Sequence, residues 1–255
     1  MTLGYHTIGH GPEKIIFLHG WLSDHLVFEP LFPLLDEERY TAVFADYRGY
    51  GLSSNLEGKY TIEEIASDVI ELAGELGWRH CHIIGHSMGG MVLQKVAVLE
   101  PGLVSSTIAI TPVPASGLSL DADMSAFFRS AADDDDALQG LFNVLTGERH
   151  AKGFLAYMAK RTRKATNREA FLGYMDAWTT TDFSAAVADV SAKVLVVAGV
   201  HDLAVGPEVI TSTYLQQLPN VEMEIIEGAG HYPTQETPIE LFTIIDKHMA
   251  ATTAK

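Results

Sequence analysis

The sequence predicts an α/β fold with a mostly parallel, open sheet flanked by helices and an all-helical insertion late in the chain. Two observations carry this prediction. Short, nearly continuous apolar runs recur along the chain, and such runs are typical of parallel strands covered on both faces. Amphipathic stretches with helical spacing lie between these runs, and this alternation predicts parallel strands joined by right-handed crossovers.

Seven segments have the character of strands, rich in β-branched and other apolar residues. They are Leu3–Ile8, Lys14–Leu18, Thr41–Ala45, Cys81–Ile84, Val104–Ile110, Lys193–Ala198 and Val221–Ile226. Several of them end directly before glycine, histidine or aspartate. Polar groups at strand ends are expected to gather at one edge of a parallel sheet, where such folds bind ligands.

Helix signals fill the intervals between the strands. Thr61 and Glu64 have the spacing of a capping box that opens a helix, and Gly77 is well placed to end that helix. A second helix is predicted over Met88–Leu99. Pro207 favours the first turn of a third helix, which we expect to run to about Leu218.

Strand signals are missing between about Pro112 and Ala186. Short amphipathic helices are predicted there instead, at Ser125–Ala132, Ala137–Leu145, Gly153–Arg161 and Glu169–Trp178. We interpret residues 112–186 as a helical cap or lid inserted into a core formed by residues 1–111 and 187–255. An insertion at this place would cover the crevice at the carboxyl ends of the strands.

Length and composition limit the classes of function. The chain has 255 residues, of which 47% are hydrophobic, enough for one large domain. A net charge of −16 disfavours nucleic acid and anionic membrane surfaces as partners. No apolar stretch approaches the length needed to cross a membrane. Without a visible secretory signal, and with Cys81 as the single cysteine, a cytoplasmic location is expected. The oligomeric state stays open.

The sharpest local signal is the segment Gly85-His86-Ser87-Met88-Gly89-Gly90. It follows a predicted strand and precedes a predicted helix, which is the context of a nucleophile elbow. Glycines on both sides allow a sharp turn that exposes the Ser87 hydroxyl. The helix behind the turn favours negative charge on a reacting oxygen. We therefore predict that Ser87 is a nucleophile.

A serine hydroxyl needs a base, and the base needs an acceptor that fixes its orientation. His231 follows the last predicted strand in a glycine-containing loop, so it is the preferred base. Asp202 follows the strand before and is the preferred acid, with Asp182 and Asp189 as alternatives. The chain order Ser87, Asp202, His231 agrees with the order expected of this architecture.

Two other groups have the composition of metal sites, but each has a simpler interpretation. His80 and His82 are two residues apart on a predicted strand, without a third ligand cluster. The acidic run 133–136 lacks the glycine and alternating ligands of a calcium loop, and aspartate is favoured at helix starts. We expect neither a metal nor a cofactor.

Together these motifs resemble the α/β-hydrolase fold family over nearly the whole chain. Beside the elbow, the matching segments are His19-Gly20-Trp21, residues 46–53 (DYRGYGLS), and residues 228–231 (GAGH) followed by Pro233 and Glu236. The resemblance implies an oxyanion hole formed by the backbone N–H groups of Trp21 and Met88. It also implies that Asp46 and Arg48 organise loops. Family members often have a hairpin before the strand at Lys14; here one short strand implies a shortened sheet edge.

A serine at the elbow argues against relatives that alkylate an aspartate. The leading hypothesis is a serine hydrolase that cleaves small or medium apolar carboxylic esters through an acyl-enzyme on Ser87. A lactonase is the first alternative. A carbon–carbon bond hydrolase is less favoured, because Tyr232 stands where those relatives often carry tryptophan. A perhydrolase side activity and a non-catalytic ligand receptor complete the alternatives.

The pocket is expected to be lined by elbow and cap residues. The candidates are Trp21, Leu22, Met88, Phe127, Phe128, Leu141, Phe142, Phe154, Tyr157, Met158, Met175 and Trp178. Most of the cap residues among them are expected to form the core of the cap, because amphipathic helices need apolar contacts of their own. The basic segment 160–164 is interpreted as a solvated helix end rather than a carboxylate site.

Overall fold

Seven strands form one sheet in the computed structural model, which describes residues 2–253. The strands are β1 (Tyr5–Ile8), β2 (Glu13–Leu18), β3 (Tyr40–Ala45), β4 (Cys81–His86), β5 (Val104–Ile110), β6 (Lys193–Gly199) and β7 (Val221–Ile226). Their order across the sheet is β1-β3-β2-β4-β5-β6-β7. Strand β1 runs antiparallel to β3, and the other pairs are parallel. The predicted mostly parallel sheet is confirmed.

Burial follows position in the sheet. Strand β4 lies between β2 and β5 and is buried along its whole length, as expected for a strand covered on both faces. Strand β7 lies at an edge, and exposed glutamates alternate along it with partly buried residues. At the other edge, β1 begins at Tyr5, two residues later than expected. Charged and short edge strands resist unwanted pairing with other chains.

Helices cover the sheet and form the insertion. They are α1 (Ile62–Glu75), α2 (Met88–Leu99), α3 (Ala122–Ser130), α4 (Asp135–Leu145), α5 (Lys152–Ala165), α6 (Arg168–Thr180), α7 (Pro207–Ser212), α8 (Tyr214–Gln217), α9 (Pro233–Glu236) and α10 (Pro238–Thr253). A 3₁₀ helix, His25–Leu34, and three shorter ones complete the helices of the described residues. None of these helices is long and apolar enough to cross a membrane.

The start of α1 agrees with the prediction only in part. Thr61 caps the helix, since its hydroxyl accepts a hydrogen bond from the Glu64 N–H at 3.2 Å. The Glu64 carboxylate instead accepts from the N–H groups of Lys59 and Tyr60, at 2.8 and 2.9 Å. It therefore stabilises the turn before the helix, where Tyr60 has a positive φ of 55°. Gly77, with φ of 71°, follows the end of α1 as predicted.

The single helix predicted over residues 207–218 is wrong. Two short helices, α7 and α8, are separated at Thr213, which has φ of −121° and ψ of −82°. The Thr213 hydroxyl donates to the Val209 carbonyl at 2.6 Å. A threonine that bonds to a carbonyl four residues back tends to disturb helix continuation, and the sequence pattern alone did not reveal this break.

Helices α3 to α6 lie between β5 and β6, where the strand pattern is interrupted. Aromatic contacts join α6 to the segment between β3 and α1. The ring centre of Tyr174 lies 5.3 Å from that of Tyr50 and 5.4 Å from that of Tyr60. The Thr162 hydroxyl donates to the Leu22 carbonyl at 2.7 Å. The insertion therefore packs directly on the loops that follow β2 and β3.

The acidic run behaves as a helix start. Asp134 caps α4 by accepting from the N–H groups of Asp136 and Ala137. Its neighbours form ion pairs with arginines of α5 and α6. Asp133 pairs with Arg168 and Asp135 with Arg163, each at 2.7 Å. The Asp133–Arg168 pair is largely exposed on both sides, and such pairs contribute little to stability.

Candidate active site

Ser87 stands at the turn between β4 and α2, in the middle of the sheet. Its φ of 54° and ψ of −118° place it in a region that side chains rarely adopt. Close backbone contacts demand glycine on both sides. A Cβ on Gly85 would lie 2.2 Å from the Gly89 oxygen, and one on Gly89 would lie 2.3 Å from the Leu18 oxygen. The sequence thus forces a sharp turn that presents the Ser87 hydroxyl.

The structure brings the three predicted side chains together in series. Ser87 Oγ lies 2.9 Å from His231 Nε2, and His231 Nδ1 lies 2.6 Å from Asp202 Oδ2. The three residues are 4 to 9% exposed. Each follows a different strand: Ser87 follows β4, Asp202 follows β6 and His231 follows β7. The three side chains meet because the carboxyl ends of parallel strands lie at one edge of the sheet.

Asp202 is fixed by its own loop. Its Oδ1 accepts from the N–H groups of Ala204 and Val205, at 2.9 and 3.0 Å, which leaves Oδ2 for His231. The alternative acid Asp182 is exposed and accepts from Ser184 instead. Asp189, the other alternative, lies in a short 3₁₀ helix, Ser184–Asp189.

The main chain of His231 is held on both sides. Its carbonyl accepts from His86 Nε2 at 2.8 Å and from the Thr111 hydroxyl at 2.9 Å. Its N–H donates to the Leu145 carbonyl at 3.0 Å, at the end of α4. His86 therefore positions the main chain of His231. Complete burial and the nearby His231 lower the pKa of His86 to about 3, so this ring stays neutral.

Glu236 fastens the loop that carries His231, and only the resemblance pointed to it. Its carboxylate accepts from the N–H groups of Gly230 and Tyr232, at 3.0 and 2.9 Å. The same carboxylate contacts the guanidinium of Arg149 and lies 2.8 Å from His150 Nε2. The Glu236 side chain is 1% exposed. Arg149 and His150 follow α4, so the insertion supports the histidine loop.

The loop after β2 lies against the elbow. A Cβ on Gly20 would lie 3.0 Å from Ser87 Cβ, so the backbone approaches the serine closely here. The carbonyls of His19 and Trp21 accept from the hydroxyls of Tyr47 and Tyr50, at 2.9 and 2.8 Å. This fixes the peptides around Trp21. Met88 begins α2, and the N–H groups of a first helical turn have no partner within the helix.

Asp46 and Arg48 bond to neighbouring segments, which is consistent with the loop-organising role that the resemblance implies. Asp46 accepts from the His25 and Leu52 N–H groups, at 2.6 and 2.8 Å, and Arg48 forms a bidentate pair with Asp68 at 2.7 Å. Burial alone would lower the pKa of His25, but the hydrogen bond to Asp46 and nearby acidic charges raise it.

A small, mainly apolar cavity opens beside Ser87. Its volume is about 40 Å³, taken as the space open to the centre of a water molecule. Its wall is formed by Trp21, Leu22, Ser87, Val113, Leu118, Phe128, Leu145, Trp178, Ala204, Val205, His231 and Tyr232.

The wall differs from the predicted set of pocket residues. Of that set it contains Trp21, Leu22, Phe128 and Trp178. The other predicted residues lie outside it: Met88, Phe127, Leu141, Phe142, Phe154, Tyr157, Met158 and Met175. Loop residues such as Val113 and Val205 complete the wall. Helical periodicity could not find them because they lie in irregular segments.

The groups with the composition of metal sites have other partners. His80 precedes β4 and lies 2.9 Å from the Gly102 carbonyl, whereas His82 is buried and lies 2.8 Å from Ser106 Oγ. The described residues contain no group of three or more His, Cys, Asp or Glu side chains placed to hold a metal ion. In the basic segment, Arg161 and Arg163 bond to carbonyls and carboxylates away from the cavity.

Comparisons with known proteins agree on the family. The model of the alpha/beta hydrolase family matches residues 15–243. A 2-(acetamidomethylene)succinate hydrolase from Mesorhizobium japonicum is 28% identical, with 93% of this chain and 88% of that protein covered. A non-heme chloroperoxidase from Kitasatospora aureofaciens is 25% identical, with 89% and 87% covered. The structure of an esterase from Exiguobacterium antarcticum, 20% identical, has a TM-score of 0.85 and covers 99% of this chain and 96% of that chain.

Proposed function

The chain belongs to the alpha/beta hydrolase family, and from this premise we propose that it is a serine hydrolase of small carboxylic esters. The observation that carries the proposal is the continuous series from Ser87 Oγ through His231 to Asp202. Such a series activates a hydroxyl for attack on an acyl carbon.

In the proposed reaction, Ser87 Oγ attacks the ester carbonyl while His231 Nε2 takes its proton. His231 then gives that proton to the leaving alcohol, and an acyl-enzyme remains on Ser87. A water molecule, deprotonated by His231, releases the acid and restores the serine. Asp202 holds the imidazole in the required orientation and stabilises its charged form.

The backbone N–H groups of Trp21 and Met88 are proposed to stabilise the oxyanion of each tetrahedral intermediate. The close approach of Gly20 to Ser87 and the position of Met88 at the start of α2 support this role. Fixed donors aimed at developing charge are a major source of catalysis.

The cavity favours the small end of the proposed substrate range. Its volume and apolar wall suit an acyl group of a few carbon atoms. Phe128, Leu145 and Trp178 of this wall belong to α3, α4 and α6, so we propose that residues 112–186 act as a cap over the site.

A second candidate, perhydrolysis, is favoured by the similarity to a non-heme chloroperoxidase. Hydrogen peroxide would replace water in the attack on the acyl-enzyme and yield a peracid. It would need the same Ser87, His231 and Asp202, and no additional group.

The test is hydrolysis of p-nitrophenyl acetate, butyrate, hexanoate and octanoate by the wild type and by Ser87→Ala. We expect turnover by the wild type alone, highest for acetate or butyrate. Lactones and vinylogous diketones are assayed in parallel, and peracid formation is measured with added peroxide. Equal turnover by Ser87→Ala would contradict the serine mechanism. Tight binding without turnover would favour a ligand receptor.

A further inference from the structure

The segment that follows β5 contacts two of the three proposed catalytic residues. The Val113 N–H donates to the Ser87 carbonyl at 3.0 Å, and the Thr111 hydroxyl donates to the His231 carbonyl at 2.9 Å. Thr111 has a positive φ of 41°, a conformation that costs free energy and persists only where neighbouring groups hold it. We call residues 111–113 the β5 loop. It joins the main chain of the proposed nucleophile to that of the proposed base.

Val113 is also part of the wall of the cavity beside Ser87. It is 4% exposed, and its N–H bond to the Ser87 carbonyl keeps it next to the serine. The cavity has a volume of only about 40 Å³, so a small displacement of one wall residue changes which acyl groups fit. The groups that fix Val113 therefore bear on the choice of substrate.

Two buried polar side chains, Tyr214 and Gln94, hold the carbonyl of Val113. Tyr214 Oη lies 3.2 Å from that carbonyl and 2.9 Å from the Gly90 carbonyl. Gln94 Nε2 donates to Tyr214 Oη at 2.6 Å and to the Gly90 carbonyl at 3.1 Å. The hydroxyl and the amide together have three protons for three acceptors. Tyr214 and Gln94 are 1% and 2% exposed, so water has little access to replace a lost partner.

Tyr214 directly follows the break between α7 and α8 at Thr213. Its hydroxyl reaches α2 at Gly90, in the first turn of that helix. A Cβ on Gly90 would lie 2.2 Å from Pro112 Cβ and 3.4 Å from Tyr214 Oη. The β5 loop and Tyr214 therefore meet at the helix that begins behind Ser87, and a larger residue at position 90 would disturb this contact.

We propose that Tyr214, supported by Gln94, is a positioning residue that sets the length of acyl chain accepted at Ser87. It acts through Val113, because the bond to the Val113 carbonyl keeps this wall residue in place. The inference rests on the proposed ester hydrolysis and adds a determinant of its preference for short acyl groups. Without the Tyr214 hydroxyl the β5 loop gains freedom, the wall yields, and longer chains fit.

The test is a selectivity ratio, defined as kcat/KM for p-nitrophenyl hexanoate divided by kcat/KM for p-nitrophenyl acetate. Tyr214→Phe removes only the hydroxyl. It should raise the ratio roughly 2- to 12-fold, the range that corresponds to the net contribution of a typical hydrogen bond. A ratio of this kind does not depend on the fraction of enzyme that is active. An unchanged ratio would overturn the proposal while ester hydrolysis stands.

A double-mutant cycle tests the route through Val113. Val113→Ala shortens the wall side chain and should raise the ratio by itself. If Tyr214 acts through Val113, addition of Tyr214→Phe to Val113→Ala should raise the ratio much less than it does in the wild type. An equal increase in both backgrounds would show that Tyr214 does not act through this wall residue, and would overturn the proposal.

Tyr40→Phe is the matched control. Tyr40 is 1% exposed and its hydroxyl donates to Asp246 at 2.6 Å, and Tyr40 is not among the described residues of the cavity wall. Its loss should lower the temperature of unfolding but leave the selectivity ratio unchanged. An equal rise of the ratio in Tyr40→Phe and Tyr214→Phe would mean general loosening of the fold and would contradict a specific role of Tyr214.

Gln94→Met keeps the tyrosine and removes its donor, so it provides a second variant should Tyr214→Phe fail to fold. It should raise the ratio in the same direction, and an unchanged ratio would contradict the proposal. Lack of turnover of both esters by the wild type would instead overturn the proposed function, and this inference with it.

Discussion

At the scale of single residues, Ser87 is held in a backbone conformation that costs free energy. Its φ of 54° comes from the turn between β4 and α2, and a side chain in such a region costs on the order of 1–3 kcal/mol. Strain of this kind is maintained by the surrounding sheet and helix. It exposes the hydroxyl toward His231.

This strain predicts an order of stability between two inactive variants. Ser87→Gly and Ser87→Ala both lose the hydroxyl, but only glycine adopts a positive φ without cost. We expect Ser87→Gly to be more stable than Ser87→Ala by about 1 kcal/mol. Urea denaturation followed by circular dichroism measures the difference. Equal free energies of unfolding would mean that the turn relaxes when the hydroxyl is removed.

Asp202 permits a test of the proposed acid. Asp202→Asn should lower kcat by about 10,000-fold with little change in KM, because the imidazole is left in the wrong tautomer. Steady-state kinetics on the best p-nitrophenyl ester measures this.

Asp182→Asn is the matched control for this substitution. Asp182 is exposed and bonds only within its own turn, to Ser184, among the contacts of the described residues. Its replacement should leave kcat within about twofold, since surface substitutions away from a site have small effects. A large loss in this variant, or a small loss in Asp202→Asn, would contradict the assignment of the acid.

At the scale of elements, the histidine loop is a short irregular segment held from three directions. Glu236 binds the N–H groups on either side of His231, His86 and Thr111 bind its carbonyl, and Leu145 accepts from its N–H. A loop supported in this way can keep an imidazole in place without regular secondary structure.

Glu236→Gln should weaken this support. The amide keeps the shape of the carboxylate but loses its charge. Its NH₂ group would also face N–H donors that now bond to the carboxylate, so we expect the free energy of unfolding to be about 1–3 kcal/mol lower. A displaced His231 should lower kcat by roughly 10- to 100-fold. Thermal unfolding and kinetics measure the two effects.

Glu240→Gln, on the exposed start of α10, is the control and should change neither quantity appreciably. If Glu236→Gln behaves like Glu240→Gln, the carboxylate is not needed to hold the loop.

Most strands and helices were predictable from sequence, whereas details that depend on single contacts in space were not. Strands such as β5 and helices such as α2 have the expected bounds, because burial on two faces and helical spacing leave clear patterns. The break at Thr213 coincides with a local side-chain hydrogen bond, and the apolar spacing of the segment does not encode it. The chain order and strand ends indicated Ser87, Asp202 and His231. The cavity wall depends on which loop residues meet the helices in space, and no pattern along the chain encodes that.

At the scale of the whole molecule, buried histidines couple stability to pH. Burial lowers the pKa of His86 to about 3, and burial also lowers the pKa values of His19, His82 and His248. These rings accept protons in the unfolded chain below about pH 6.5 but resist them when folded. Stability should therefore fall as pH drops from about 6.5, and His86 alone contributes up to about 1.4 kcal/mol per pH unit above its folded pKa. His25, whose pKa is raised, opposes this trend.

Urea denaturation between pH 4.5 and 7.5 measures this dependence. His86→Gln retains a donor for the His231 carbonyl but cannot take up a proton. As the pH is lowered, its free energy of unfolding should therefore fall less steeply than that of the wild type. The two slopes should differ by up to the value for one bound proton, about 1.4 kcal/mol per pH unit. Parallel curves for the two proteins would show that His86 does not contribute to acid sensitivity.

The contacts between α4 and the histidine loop have a consequence for protein engineering. Gly230 packs against Thr146, where an added Cβ would lie 2.8 Å from the Thr146 Cα, and Arg149 and His150 bind Glu236. Exchange of residues 112–186 for the corresponding segment of a relative would replace Thr146, Arg149 and His150, and so remove one partner from each of these contacts. A chimera built to change substrate range should therefore keep residues 143–150 of this chain, or receive the donor's histidine loop together with its helices.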